Sequence, residues 1–282
     1  MSNPPYRWNA TDYARNSSAQ FSWAQELIAK LHLRGNESVL DIGCGDGKIT
    51  AMLARRAPHG RVVGIDSSAG MVALASRDYC GERCRNLRFE MLDARAMRFD
   101  NEFDVVFSNA TLHWVRDHVA VLRGIEQGLR PDGRILLQMG GRGNAADVIA
   151  VMDTVRASPN WQGYFSGFEF PYAFYGPEDY VVWLAHVGLE MVRVELMPKD
   201  MTHRDREAFA GWLSTTWHPY IDRVPEEQRG RFLSAVVDEY LARHPIDTDG
   251  ATHVEMVRLE VEAQKRGQST EDVTQQDQIE GW

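Results

Sequence analysis

Five short apolar runs punctuate the first half of the chain, at residues 38–42, 61–65, 87–91, 103–108 and 133–139. Each is too short for a helix and reads as a strand, those at 38–42 and 61–65 as buried ones. Between them, over about 47–57, 68–78 and 117–130, apolar residues recur at the three- and four-residue spacing of amphipathic helices. Strand-like and helix-like segments in alternation predict βαβ units, a parallel sheet and helices on both of its faces. Arg130-Pro131-Asp132-Gly133 reads as the turn between the last of these helices and the fifth strand.

Outside this stretch the pattern changes. A helix is expected from near Ser18, with Ala24, Leu27, Ile28 and Leu31 as its apolar stripe. After Gly140-Gly141-Arg142-Gly143, residues 144–176 hold a short helix and then Trp161, Tyr164, Phe165, Phe168, Phe170, Tyr172, Phe174 and Tyr175. Residues 177–186 read as a helix, 188–197 as a sixth strand, and 204–243 as helices interrupted near Pro219 and Pro225. Val254 and Met256 alternate with polar residues in a seventh strand over 252–263. The chain therefore divides into an N-terminal helix or lid at 1–34, the alternating α/β core at 35–143, and the rest of the sheet at 144–263. Insertions at about 144–176 and 203–248 would form a cap, and the polar, Gln-rich 264–282 a disordered tail.

Bulk properties narrow the function. At 282 residues the chain has room for one large α/β domain with insertions. A formal net charge of −9 with no compensating basic run argues against nucleic acid as a partner. No apolar run is long enough for a membrane span, and Met1 to Pro5 lack the features of a signal peptide, so a cytoplasmic location is expected. Cys44, Cys80 and Cys84 are too few for a disulfide framework. Cys80 and Cys84 lack a second ligand pair at zinc spacing, so no metal is expected.

The chemistry begins at Val39-Leu40-Asp41-Ile42-Gly43-Cys44-Gly45-Asp46-Gly47, a buried strand running into three glycines and then a helix. Glycines there permit positive φ and let a ligand lie against the backbone. Gly43, Cys44 and Gly45 form the binding turn, with Cys44 a small packing residue, since no base stands ready to activate it. A pyrophosphate turn has the form G-x-G-x-x-G. This one is G-x-G-x-G with Asp41 and Asp46 beside it, which would repel phosphate and suit a cationic ligand. Asp66 ends the second strand where a carboxylate can accept from both hydroxyls of a ribose. The motif resembles that of the class I S-adenosylmethionine-dependent methyltransferases. That likeness implies a Rossmann-like, mostly parallel seven-stranded sheet and S-adenosylmethionine as cofactor, with S-adenosylhomocysteine as product.

Further candidates follow from this frame. Ser67 and Met71 come after the ribose acid, Met71 either covering the adenine face or packing in the core. Asp93 would accept from the adenine amino group beside the amide of Ala94, or else cap a helix. At the end of the fourth strand, the carbonyl of Asn109 would receive the donor's ammonium, and His113 and Trp114 would line the acceptor pocket. The plain alternative makes Trp114 a packing aromatic and His113 a satisfied surface residue.

Asn109 to His118, Trp212-Leu213, Trp217 to Pro225, Phe232-Leu233 and Asp249-Gly250 resemble trans-aconitate methyltransferase. Tyr13 to Leu27 and Asp41 to Thr50 look closer to juvenile hormone acid methyltransferase. Both families methylate a carboxylate oxygen. In the second, a Gln on the N-terminal helix and the Trp after the fourth strand hold the substrate carboxylate, and Gln20 and Trp114 match them. His218 stands where the first family tends to have Arg, and Thr216-Trp217 replaces a Gly-Leu pair. These departures, with the aromatic insertion, favour a small-molecule acid with an apolar part, held also by Trp217, His218 and Tyr164, with His218, if protonated, adding positive charge. A carboxylate is ionised at neutral pH and needs no general base. The alternatives are a methyltransferase for hydroxyl, amine or carbon with His113 as base, and a non-catalytic cofactor-binding module.

Overall fold

The computed structural model describes residues 18–81 and 84–267, with residues 18–22 described through their backbone alone. Its strands are β1 (Ser38–Ile42), β2 (Arg61–Asp66), β3 (Leu87–Met91), β4 (Phe103–Asn109), β5 (Leu129–Gly140), β6 (Leu189–His203) and β7 (Thr252–Lys265). They form one seven-stranded sheet in the order β3-β2-β1-β4-β5-β7-β6. β1 to β5 pair in parallel, and β7 runs antiparallel between β5 and β6. The helices are α1 (Ser18–Lys30), α2 (Lys48–Arg56), α3 (Ala69–Tyr79), α4 (His118–Gly128), α5 (Ala146–Ala157), α6 (Pro177–Val187), α7 (Arg206–Thr216), α8 (His218–Ile221) and α9 (Glu226–Arg243).

Period-two alternation sends neighbouring strand residues to opposite faces. Val39, Val62, Val105 and Leu136 join Leu27, Ile28 and Leu53 of α1 and α2 in one layer. Leu40, Val63, Val106 and Leu137 join Val121, Ile125 and Leu184 of α4 and α6 in the other. The aromatic insertion and α5, α7, α8 and α9 build a third core above one end of the sheet, with Trp161, Phe165, Trp212, Trp217, Tyr220 and Phe232 at its centre.

Three boundaries differ from the sequence reading. Arg130 to Gly133 is a bulge inside β5 rather than a turn before it, with Asp132 at φ 62° and the β4–β5 register shifting between Phe103 and Val105. β6 continues past residue 197 to His203, because Pro198 is tolerated on an edge strand. Gln264 and Lys265, assigned to the tail, end β7, where the Lys265 ammonium donates to the carbonyls of Glu126 and Leu129. The remainder of that tail, from 268, lies outside the described residues.

The order of connection reverses between β1 and β4. At such a switch point the loops leaving two adjacent parallel strands diverge and open a crevice at their carboxyl ends.

Candidate active site

The loop leaving β1 forms one wall of that crevice. The amides of Gly43 and Cys44 both donate to the Ile65 carbonyl, at 2.8 and 2.9 Å, which ties the turn to β2. Gly43, Gly45 and Gly47 all have positive φ, at 74°, 53° and 82°. A Cβ on Gly45 would meet no atom within 4 Å, so open space lies beside the middle of the turn. Asp66 accepts from the amides of Gly45 at 3.0 Å and Ser68 at 2.8 Å, and these fix its carboxylate between two loops.

Asp41 lies beneath, 2 % exposed, its carboxylate accepting from the Thr50 hydroxyl at 2.6 Å. Burial, with Asp66 nearby, pushes the Asp41 carboxyl up to about 7 against the pull of that hydroxyl. Burial also raises Asp66, offset in part by the Ser68 and Gly45 amides. The Cys44 thiol is pushed up by burial and by Asp41 and Asp66, so it packs and stays protonated. A buried carboxyl and a half-buried one beside an open cradle are complementary to a cation.

The other wall comes from β4. Ala110, at φ 57°, turns the chain sharply, and the Thr111 hydroxyl bridges to the Gly43 and Asn109 carbonyls at 3.1 and 3.2 Å. The Asn109 side-chain oxygen is buried with no hydrogen-bond partner among the described residues. The turn Leu112–Trp114 then enters a cavity of about 50 Å³. His113 and Trp114 line it together with Tyr172 and Phe174 of the aromatic insertion and Trp212 and Trp217 of the cap. Arg258, 4 % exposed on β7, adds the one charged side chain of this wall among the described residues.

His113 has a defined orientation. Its Nδ1 accepts a long hydrogen bond, 3.4 Å, from the Gly140 amide, and its carbonyl accepts from Ala173. Burial, with Arg258 and His118 close by, holds its pKa well below the usual histidine range, so the ring is neutral at pH 7. With Nδ1 accepting, Nε2 carries the proton.

The comparisons fit this geometry. A methyltransferase domain model matches residues 39–133. Trans-aconitate 2-methyltransferase of Variovorax paradoxus is 30% identical over 264 residues, covering 92% of this chain and 98% of its own. An uncharacterized methyltransferase of Schizosaccharomyces pombe is 31% identical over 234 residues, covering 79% and 85%. The chain belongs to the S-adenosylmethionine-dependent methyltransferases. Among solved structures, the S-adenosylmethionine complex of Haemonchus contortus phosphoethanolamine N-methyltransferase 2 matches with a TM-score of 0.57 and 19% identity, over 91% of this chain and 56% of that one. The [4+2]-cyclase SpnF matches with a TM-score of 0.57 and 20% identity, over 89% and 83%. At that identity the likeness concerns the fold, and a cyclase within it shows that the fold does not set the reaction.

In this methyltransferase the cofactor candidates gather at one crevice and the acceptor candidates only partly. Gly43, Cys44, Gly45, Asp41 and Asp66 lie together, and their charge and open cradle fit a sulfonium and ammonium ligand. Ser67 is exposed and Met71 buried at the start of α3. The Asp93 carboxylate caps the turn Ala94–Ala96 and pairs with Arg95, whose guanidinium lowers it. Tyr164 does not line the cavity; its hydroxyl accepts from Gln228 at 3.1 Å. His218 stands behind Trp114, stacked at 5.5 Å, and burial lowers its pKa against the pull of Asp222. It is neutral at pH 7 and adds no positive charge. Gln20 lies on α1, and its side chain is outside the described residues.

From the sequence, Arg258 and Asn144 were given no role, Trp212 was named only for the resemblance, and Tyr172 and Phe174 were counted only within the aromatic insertion as a whole. Arg258 was legible: it continues the inward face of Val254 and Met256, where a charge is out of pattern. No helix among the described residues is long and apolar enough to cross a membrane. No group of three or more His, Cys, Asp or Glu there could hold a metal ion.

Proposed function

We propose that the protein methylates a carboxylate oxygen of a small organic acid with an apolar part. The observation that carries this is the orientation of His113. A hydroxyl or amine acceptor needs a base within reach, and His113 is the histidine of the cavity wall. Its Nδ1 is occupied by the Gly140 amide, its low pKa makes it a poor base, and its remaining nitrogen is a donor. No Asp or Glu of the described residues lines the cavity. Such a wall suits an acceptor that is already an anion.

S-adenosylmethionine supplies an electrophilic methyl group when bound. Asp66 would take the ribose, Asp93 and Ala94 the adenine edge, with Ser67 and Met71 beside it, and Asp41 and the Asn109 carbonyl the charged end. The chain's own contribution is orientation and the exclusion of water. Trp114 and the lid residue Gln20 turn the carboxylate towards the end of β4, and Tyr172 and Phe174 flank the apolar part. Orientation of this kind is worth roughly 7–11 kcal/mol, and a misplacement of about 1 Å about 100-fold in rate. Trans-aconitate, named in several relatives, is one acid to test; the aromatic walls favour acids with fewer charges.

Labelled methyl transfer to a panel of fatty, terpenoid, aromatic and tricarboxylic acids tests the reading. A base-labile ester is expected, falling about 100-fold in Trp114→Ala with cofactor binding intact. Methylation of a hydroxyl or amine instead, abolished by His113→Ala, would overturn it. Asp66→Ala is expected to weaken S-adenosylmethionine about 10- to 100-fold by calorimetry, since a hydrogen bond to a charged group is worth about 1.5–3 kcal/mol.

A further inference from the structure

The acceptor cavity holds more hydrogen-bond donors than the protein uses. Trp212 and Trp217 are 2 % and 1 % exposed, both line the cavity, and neither indole N–H has a partner among the described residues. A buried donor without an acceptor is costly, and two in one wall call for an acceptor-rich occupant. Asn144, also in the wall and 5 % exposed, uses its side-chain oxygen to accept from the Val257 amide at 3.1 Å. Its NH2 group is the end left for a ligand. His113 presents Nε2–H, and the side-chain oxygens of the lining are those of Asn144, Tyr172 and Thr216, the first already accepting from Val257 and the second donating to the Thr216 carbonyl.

The charge of this wall is Arg258. Sheet register places it opposite Gly140, the residue whose amide orients His113. Its guanidinium lies 5.6 Å from the centre of the Trp23 ring, so α1 packs against it on the lid side. The carboxylate clamp of Gln20 and Trp114 is made of neutral donors, and His218 is neutral. A carboxylate taken out of water needs a positive partner as well as donors.

We propose that Arg258, with the indole N–H groups of Trp212 and Trp217 and the amide NH2 of Asn144, is the anion subsite that holds the carboxylate of the acceptor. This deepens the carboxyl-methylation reading and rests on it for the identity of the ligand. An arginine offers two parallel donors matched to the two oxygens of a carboxylate, whereas the indole and amide groups reach the remaining lone pairs. Arg258 then sets affinity and the choice of an acid over its neutral analogue. It performs no proton transfer.

The test compares sodium benzoate with benzamide, equal in shape and different in charge, by calorimetry on the full chain. Wild type is expected to favour benzoate by at least about tenfold, and Arg258→Gln to lose that preference while still binding S-adenosylmethionine. Arg258→Lys should retain part of it, and Trp217→Phe should weaken benzoate with little change for benzamide. If Arg258→Gln does not fold, the Lys and Phe variants carry the test. Equal binding of benzoate and benzamide by wild type would overturn the proposal. So would benzoate binding unchanged in Arg258→Gln, or in both Arg258→Lys and Trp217→Phe where the Gln variant does not fold. The ester assay separates the two readings. Arg258-dependent benzoate binding with no ester from any acid would leave the subsite standing and remove the carboxyl reaction. Ester formation with KM unchanged in Arg258→Gln would do the reverse.

Discussion

The Asp41→Asn variant is expected to be more stable than wild type at pH 8 without ligand, and to bind S-adenosylmethionine more weakly. Asp41 is buried and its pKa is raised from 3.8 to about 7. A carboxyl raised in the folded state stabilises that state while protonated, so its contribution is fully present below about pH 4 and is lost as pH rises through 7. The difference of about 3.2 units corresponds to roughly 4 kcal/mol at pH 8. Asparagine removes the ionisation and keeps an oxygen that can accept from the Thr50 hydroxyl, so the thermal midpoint should rise at pH 8 and barely change at pH 4. The ligand-free wild type thus carries an uncompensated buried charge that a cation would neutralise. Cofactor binding to wild type should release protons near pH 6.5, seen as a dependence of the calorimetric heat on buffer ionisation enthalpy. Asp41→Asn should abolish that release. An unchanged midpoint at pH 8 together with unchanged affinity would remove Asp41 from the cation site.

How much of this was visible in the chain depends on the distance over which each feature is encoded. The strands at 38–42 and 87–91 and the helix starting at Pro177 have the predicted bounds within a residue, because local periodicity and capping determine them. The glycine turn and Asp66 were legible because both act through the backbone of adjacent loops. The cavity beyond β4 was not, since its walls come from β4, the aromatic insertion, the cap and β7, and no local pattern says which ring faces inward. Tyr164 and Tyr172 belong to one aromatic run, yet the first bonds Gln228 and the second donates to the Thr216 carbonyl at the cavity wall. His218 read as a possible cation because its burial against Trp114 is a tertiary fact. Glu260 is a similar case. It is 0 % exposed at an inward position of β7, with Lys30, Arg193 and Gln138 converging on it from three elements.

Gly43→Ala is expected to destabilise the protein strongly, and Gly45→Ala only slightly, although both glycines belong to the same turn. At Gly43 φ is 74°, and an added Cβ would stand 2.0 Å from the Thr111 Cγ2 and 2.3 Å from its hydroxyl oxygen. Left-handed backbone costs a side chain roughly 1–2 kcal/mol, and overpacking adds about 1–3 kcal/mol. Relief requires moving Thr111, whose hydroxyl bonds the Gly43 carbonyl and closes the β1 and β4 loops over the switch point. The substitution should therefore lower stability by about 2–5 kcal/mol in denaturant titrations. At Gly45 φ is 53° and the new Cβ meets nothing within 4 Å, so the backbone term of roughly 1–2 kcal/mol stands alone. That Cβ enters the open space beside the cradle, so cofactor affinity should fall more than stability does. The pair of variants separates a glycine needed for the contact between two loops from one needed for a ligand. Equal losses of stability in both, with cofactor affinity retained in Gly45→Ala, would mean that the space beside Gly45 is not where the cofactor lies.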